Sequence, residues 1–249
     1  MTGATGNIYC GLHEFEDMGF VLHFLKENDL FIDIGANIGS YTILAAKVVG
    51  AKVQTFEPVP STYEALCNNI KLNNLEDRVI SYQAGVGSSD TTMTMTANQD
   101  TMNHIAPEGL STRTEDKEDN PSSTIEVPVK QLDNLLHASS PLCIKIDVEG
   151  FETEVIKGAK ETLSNPNCQA LIMELNGSGN RFGYDESDLH KKVCTLGFKP
   201  HTYDPFHREL TSLEGKKSTT GNTLYLKDPD TAQKRLIEAE SFTVIGQVI

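Results

Sequence analysis

Short apolar runs alternate with stretches of helical period along most of this chain. "DLFIDIG" (29–35) is apolar enough for a strand buried on both faces, and "NIGSYTILAAKVVG" (37–50) follows as a helix closed by Gly50. "KVQTFEP" (52–58) is a second strand. In "STYEALCNNIKLNN" (61–74), Tyr63, Leu66 and Ile70 fall on one helical face, and Ser61 with Glu64 matches a capping box. "RVISYQAGVG" (78–87) is a third strand with its exit loop. Four more strands are expected at "LCIKIDVEG" (142–150), "QALIMELNG" (169–177), "FKPHTYDP" (198–205) and "GNTLYLKD" (221–228). Helices fit between them at "FETEVIKGAKETL" (151–163) and "DESDLHKKVCTLG" (185–197), and a charged helix follows the last strand. This alternation predicts an α/β fold, a largely parallel sheet with helices on both faces.

Two segments break the rhythm. Residues 1–28 mix His, Glu and aromatic residues, with helical spacing only at Phe20, Val21, Phe24 and Leu25, and read as a cap over the site. Residues 87–124, rich in Ser, Thr, Asp and Glu, are expected to be a surface excursion too polar to bury. "TIEVPVK" then reads as an edge strand, because Pro128 lacks the N–H that a central strand needs. No repeat or linker divides the sequence, so residues 1–249 are expected to form one domain.

Hydrophobic residues make up 38% and charged residues 22%, as in a globular protein. A formal net charge of −14 disfavours nucleic acid, whose binding draws on clustered Lys and Arg. A small neutral or cationic substrate fits better, although net charge alone selects none. No apolar run approaches the ~18 residues of a membrane span. The amino terminus lacks a signal-peptide pattern, and the five scattered cysteines contain no C-x-x-C and read as reduced thiols. A cytoplasmic location is the expectation.

In an open parallel sheet, ligands sit beyond the carboxyl ends of the strands. The turn after the first strand is "GANIG", with Asn37 where a dinucleotide-binding G-x-G-x-x-G turn carries its middle glycine. Asp33 stands just before it. A carboxylate there repels a pyrophosphate but accepts hydrogen bonds from an ammonium group, which points to S-adenosylmethionine rather than NAD. Glu57, 24 positions after Asp33, can accept ribose hydroxyls. Lys145, Asp147 and Glu149 cluster at the end of the fourth strand, where an ion pair is the simplest explanation, and Glu174 and Asn176 end the fifth.

"FIDIGANIGSYT", "FEPVPSTYEALCNNIKLN", "IKIDVEGFETEVIKGA" and "LIMELN" together resemble the FkbM family of S-adenosylmethionine-dependent methyltransferases, over about residues 28–205. The resemblance implies a class I methyltransferase (Rossmann-like) fold with a seven-stranded sheet in the order 3-2-1-4-5-7-6, strand seven antiparallel. It implies cofactor contacts at Asp33, Gly35, Asn37, Gly39, Tyr41, Thr42, Glu57, Gln83, Ala84 and Asp147, and O-methylation of a hydroxyl on a small molecule or sugar. A hydroxyl acceptor needs a base within hydrogen-bond reach. Asp147 and Glu149 are the first candidates, with His104 and His13 behind them. Asp147, Glu174 and Asn176 also offer oxygen ligands for Mg²⁺, yet nothing in the sequence demands a metal, and none is expected. Arg181, Tyr203 and Arg208 are candidate acceptor contacts. The rivals are a nicotinamide-dependent oxidoreductase, which Asn37 weighs against, and a binding module without chemistry.

Overall fold

The computed structural model describes residues 11–96, 124–136, 140–219 and 221–249. Its main sheet is built on β1 (Leu30–Ile34), β2 (Lys52–Phe56), β3 (Val79–Tyr82), β7 (Cys143–Ile146) and β8 (Ala170–Glu174), all parallel. β9 (Lys199–Asp204), β10 (Glu209–Ser212) and β11 (Asn222–Leu226) complete it. The order is β10-β9-β11-β8-β7-β1-β2-β3, with β11 antiparallel to both neighbours. Without β10 this is the order and polarity that the family resemblance implied. β10 is an eighth strand, an antiparallel hairpin partner that extends the β9 edge, where seven were expected.

Alternation along the central strands sorts side chains into two apolar layers. Phe31, Val53, Ile172 and Leu224 face one layer, under α1 (Phe15–Phe24), α2 (Ser40–Ile43, continuing as a π-helical turn through Leu44–Val49), α3 (Pro60–Leu72) and α8 (Pro229–Ile237). Ile32, Ile34, Phe56, Ile144 and Met173 face the other, under α4 (Leu132–Leu136), α5 (Glu152–Gly158), α6 (Lys160–Ser164) and α7 (Glu186–Thr195). The expected helix over 151–163 is thus two helices, broken at Ala159 (φ −122°). Gly158, beside that break, lies so near the Gly87 carbonyl that a Cβ would stand 1.9 Å from it.

Three local expectations are corrected. The polar stretch after residue 87 contains a strand, β5 (Thr91–Thr96), paired antiparallel with β6 (Thr124–Lys130). Threonine suits a half-solvated pleat, and Met95 is buried against Val59 and Val127. β6 is central, not an edge, in a small sheet β4-β6-β5, where β4 is Gly85–Val86. Pro128 fits because β4 pairs only with Val129 and Lys130, beyond it. Finally, the Ser61–Glu64 capping box does not form. The helix starts at Pro60, whose fixed φ suits the first turn, and places Ser61 inside it. His104 lies outside the described residues.

Candidate active site

Asp33 is the last polar residue of β1 before the turn and is only 1% exposed. Its Oδ2 accepts from the Thr42 hydroxyl at 2.7 Å, and Thr42 Oγ1 lies 3.0 Å from Thr55 Oγ1. Oδ1 is buried with no hydrogen-bond partner among the described residues. Burial raises the Asp33 pKa, against the pull of Lys145 and the Thr42 hydroxyl. A buried carboxylate oxygen left unpaired is costly, so it marks a place where a donor-bearing ligand fits. Beyond Asp33 the turn is shaped by backbone contact. Gly35 N and Ala36 N both donate to Phe56 O at 3.0 Å, and Gly35 has φ +81°. A Cβ there would lie 1.7 Å from the Asp147 carbonyl oxygen, so only glycine fits.

Glu57, just past β2, is held by two backbone donors, Asn37 N at 3.0 Å and Val59 N at 2.9 Å. Burial pushes its pKa up to about 7 in spite of those donors. Glu57 therefore ties the turn after β1 to the start of α3.

Across the crevice, the Lys145 ammonium is 2.9 Å from Asp147 Oδ2, with side chains 4% and 28% exposed. It also sits over the Tyr41 ring, 4.8 Å from the centroid. Burial alone would lower the Lys145 pKa, but Asp147, Glu14 and Asp33 more than reverse this and leave it raised. Asp147, Glu149 and Glu174 bring carboxylate oxygens within 4.8 Å of one another. Burial, then Asp147 and Glu149, push Glu174 up to about 7; burial and Asp147 raise Glu149 as well. Asn176 Oδ1 accepts from Ser178 N at 2.9 Å, which turns it into the loop after β8. Lys145 already supplies a counter-charge to this group.

A cavity of about 330 Å³ lies at the carboxyl ends of β1, β2, β7 and β8. Asp33, Gly35, Asn37, Tyr41, Glu57, Ala84, Asp147 and Glu149 are all on its wall. Gly39, Thr42 and Gln83 are not. Gly39 packs behind the turn, where a Cβ would stand 2.5 Å from Leu66, Thr42 braces Asp33 from beneath, and Gln83 is exposed. Tyr203 is buried, with its hydroxyl 2.6 Å from His23 Nδ1, and Arg208 donates to the carbonyls of Ile237, Ala239 and Ile249. Both serve the fold.

Sequence reasoning missed Glu14. It precedes α1, lines the cavity beside His13, and its Oε2 accepts from Tyr41 Oη at 2.5 Å and Asn222 Nδ2 at 3.1 Å. The same amide donates to Asp17 at 3.0 Å, and burial pushes Asp17 up to about 6. No local pattern marks Glu14, which reaches the site only because α1 packs against α8 and β9.

The strand order, the glycine turn over β1 and the acidic crevice define a class I methyltransferase fold with an intact ligand turn. Residues 33–200 match the Methyltransferase FkbM domain, and the chain belongs to that family. Relatives include methyltransferase sdnD of Sordaria araneosa, 30% identical over 59% of this chain and 66% of that protein. Another is the hexuronic acid methyltransferase AglP of Haloferax volcanii, 28% identical over 69% of this chain and 64% of that protein. The chain thus spans just under two thirds of the length of both. Methyltransferase 1 of Beauveria bassiana is 26% identical over 77% of this chain and 82% of its own. Among solved structures, SMU.1697c of Streptococcus mutans in complex with SAH aligns with a TM-score of 0.48 and 12% identity, over 84% of this chain and 94% of that one. Among the described residues no helix is long and apolar enough to cross a membrane.

Proposed function

We propose that this chain is an S-adenosylmethionine-dependent methyltransferase that methylates a hydroxyl of a small molecule or sugar. The observation that carries the reading is the buried, unpartnered Asp33 Oδ1 beside the Gly35 turn on the cavity wall. It fits an ammonium-bearing ligand and opposes a pyrophosphate. Family membership and the hexuronic acid named for the Haloferax relative support the activity and a sugar acceptor. When bound, S-adenosylmethionine supplies a methyl carbon whose bond to sulfur breaks as the bond to the acceptor oxygen forms, leaving S-adenosylhomocysteine.

The chain's own residues do the rest. Asp33 accepts from the amino group, Glu57 from the ribose hydroxyls, and Ala36 to Ile38 and Ala84 enclose the nucleoside. The Asp147–Glu149 pair, with Glu174 beside it, takes the proton from the acceptor hydroxyl. Lys145 holds Asp147 in place and balances its charge, so no metal is required. Residues 1–249 act as one domain, in the cytoplasm and without nucleic acid, in keeping with the net charge of −14 and the unpaired Cys67, Cys143, Cys168 and Cys194.

The test is calorimetric titration with S-adenosylmethionine, S-adenosylhomocysteine and NADH, for the parent and Asp33→Ala. Binding of both adenosyl ligands by the parent, lost in the variant, is expected. Binding of NADH alone would overturn the reading in favour of hydride transfer.

A further inference from the structure

Among the described residues the cavity wall carries six carboxylates, Glu14, Asp33, Glu57, Asp147, Glu149 and Glu174, against a single lysine and His13. Under the cofactor reading, on which this inference rests, Asp33 and Glu57 face the ammonium and ribose. Glu14, Asp147, Glu149 and Glu174 are left for the acceptor. Lys145 cannot serve an incoming anion, because its ammonium is bonded to Asp147 at 2.9 Å, covered by the Tyr41 ring and surrounded by Glu14 and Asp33. Arg181 also pulls on Glu149 but is exposed and stands off the wall; Lys217 is engaged with Glu186 at 3.5 Å.

We infer that the acceptor chamber selects a molecule with no negative charge that presents hydrogen-bond donors, and that methylation yields an ether on a hydroxyl, not an ester on a carboxylate. A carboxylate or phosphate entering this chamber meets Glu14 and the Asp147–Glu149–Glu174 group, while Lys145, the one described lysine on the wall, is already engaged with Asp147 and Arg181 lies off the wall. A neutral or amino-bearing polyol instead meets acceptors that satisfy its O–H and N–H groups. A carboxylate acceptor also arrives without a proton and has no use for a base, whereas the clustered carboxylates are placed to receive one. The hexuronic acid named for the Haloferax relative carries the very group that this chamber disfavours. Glu14 lies outside the stretch matched by the family, in the segment before β1.

The experiment uses the full chain with three matched probes, methyl glucopyranoside, its uronate and its 2-amino analogue. Binding of each to the complex with S-adenosylhomocysteine is measured by saturation-transfer NMR. Transfer of labelled methyl from S-adenosylmethionine is measured in parallel, and any product is treated with mild alkali. The neutral or amino probe is expected to exceed the uronate by at least about tenfold in affinity or kcat/KM, with label stable to alkali. Glu14→Gln should narrow that ratio by easing the entry of the uronate. Preference for the uronate, alkali-labile label, or no binding by any probe while S-adenosylhomocysteine binds would overturn the inference. Failure of S-adenosylhomocysteine itself to bind would instead overturn the cofactor reading.

Discussion

Replacing Lys145 by Met keeps roughly the volume of the side chain and removes its charge, which isolates the electrostatic role of this residue. The ammonium is 2.9 Å from Asp147 Oδ2, with only 4% of the lysine side chain exposed. Breaking a buried pair by removing one partner costs about 3–5 kcal/mol. Asp147 is 28% exposed and can regain some hydration, which lowers the expectation to about 2–4 kcal/mol. Asp33, buried with one oxygen unpaired, has Lys145 as the largest influence holding its raised pKa down. Without the lysine that pKa rises further. A carboxylate whose folded pKa is raised stabilises the fold fully below its unfolded value of about 3.9, and that contribution is lost as pH climbs through the folded value. The deficit of Lys145→Met relative to the parent must therefore grow with pH. Urea unfolding of both proteins at about pH 5 and about pH 7.5 measures it. A deficit under about 1 kcal/mol at the higher pH, or one that shrinks as pH rises, would refute this account of the buried pair.

Further outcomes are expected. Asp33→Asn should weaken S-adenosylmethionine binding by about ten- to a hundredfold while unfolding stability holds or rises, since a charge-assisted bond is lost but a buried charge is also removed; unchanged affinity by calorimetry would remove Asp33 from the site. Gly35→Ala should cost about 2–5 kcal/mol in denaturant unfolding, from left-handed strain together with the clash against Asp147 O. Gly183→Ala, at φ +74° with nothing within 4 Å, should cost only the strain, about 1–2 kcal/mol, and equal losses would show that the contact is unimportant. Methyl transfer should rise with pH through about 7 as the cluster holding Glu174 ionises, and Glu174→Gln should move the rise to lower pH by removing a neighbouring negative charge; a flat profile would take these carboxylates out of proton transfer. Activity should survive EDTA, because Lys145 already neutralises Asp147, and its loss with recovery on added Mg²⁺ would put a metal in the group.

The strand–turn–helix units were legible because β1, β7 and β8 are buried on both faces, and continuous apolar runs such as "LFIDI" and "CIKI" have few other uses. Asp33, Glu57 and Asp147 were legible for the related reason that charges at the ends of such strands are conspicuous. β5 was hidden by its threonines, which make a solvated strand look like a loop. The Ser61–Glu64 pattern misled because Pro60, one residue earlier, sets the helix start more strongly than a serine cap. Sheet order came from resemblance, since spacing does not fix which strands adjoin. Glu14 could not be found locally: its partner Asn222 is 208 positions away, and only the packing of α1 brings the two together.

The glycines at the crevice have a consequence for engineering. Gly35 nests on the Asp147 carbonyl, and a Cβ on Gly150 would meet Ser178 O at 2.6 Å, so the loops that follow β1, β7 and β8 are stacked like three interleaved cards. None can be lengthened, shortened or re-angled without dislodging the next. A chimera meant to change what this chain methylates would have to transplant the three loops together, whereas Glu14, which meets Tyr41 and Asn222 through its side chain, can be varied alone.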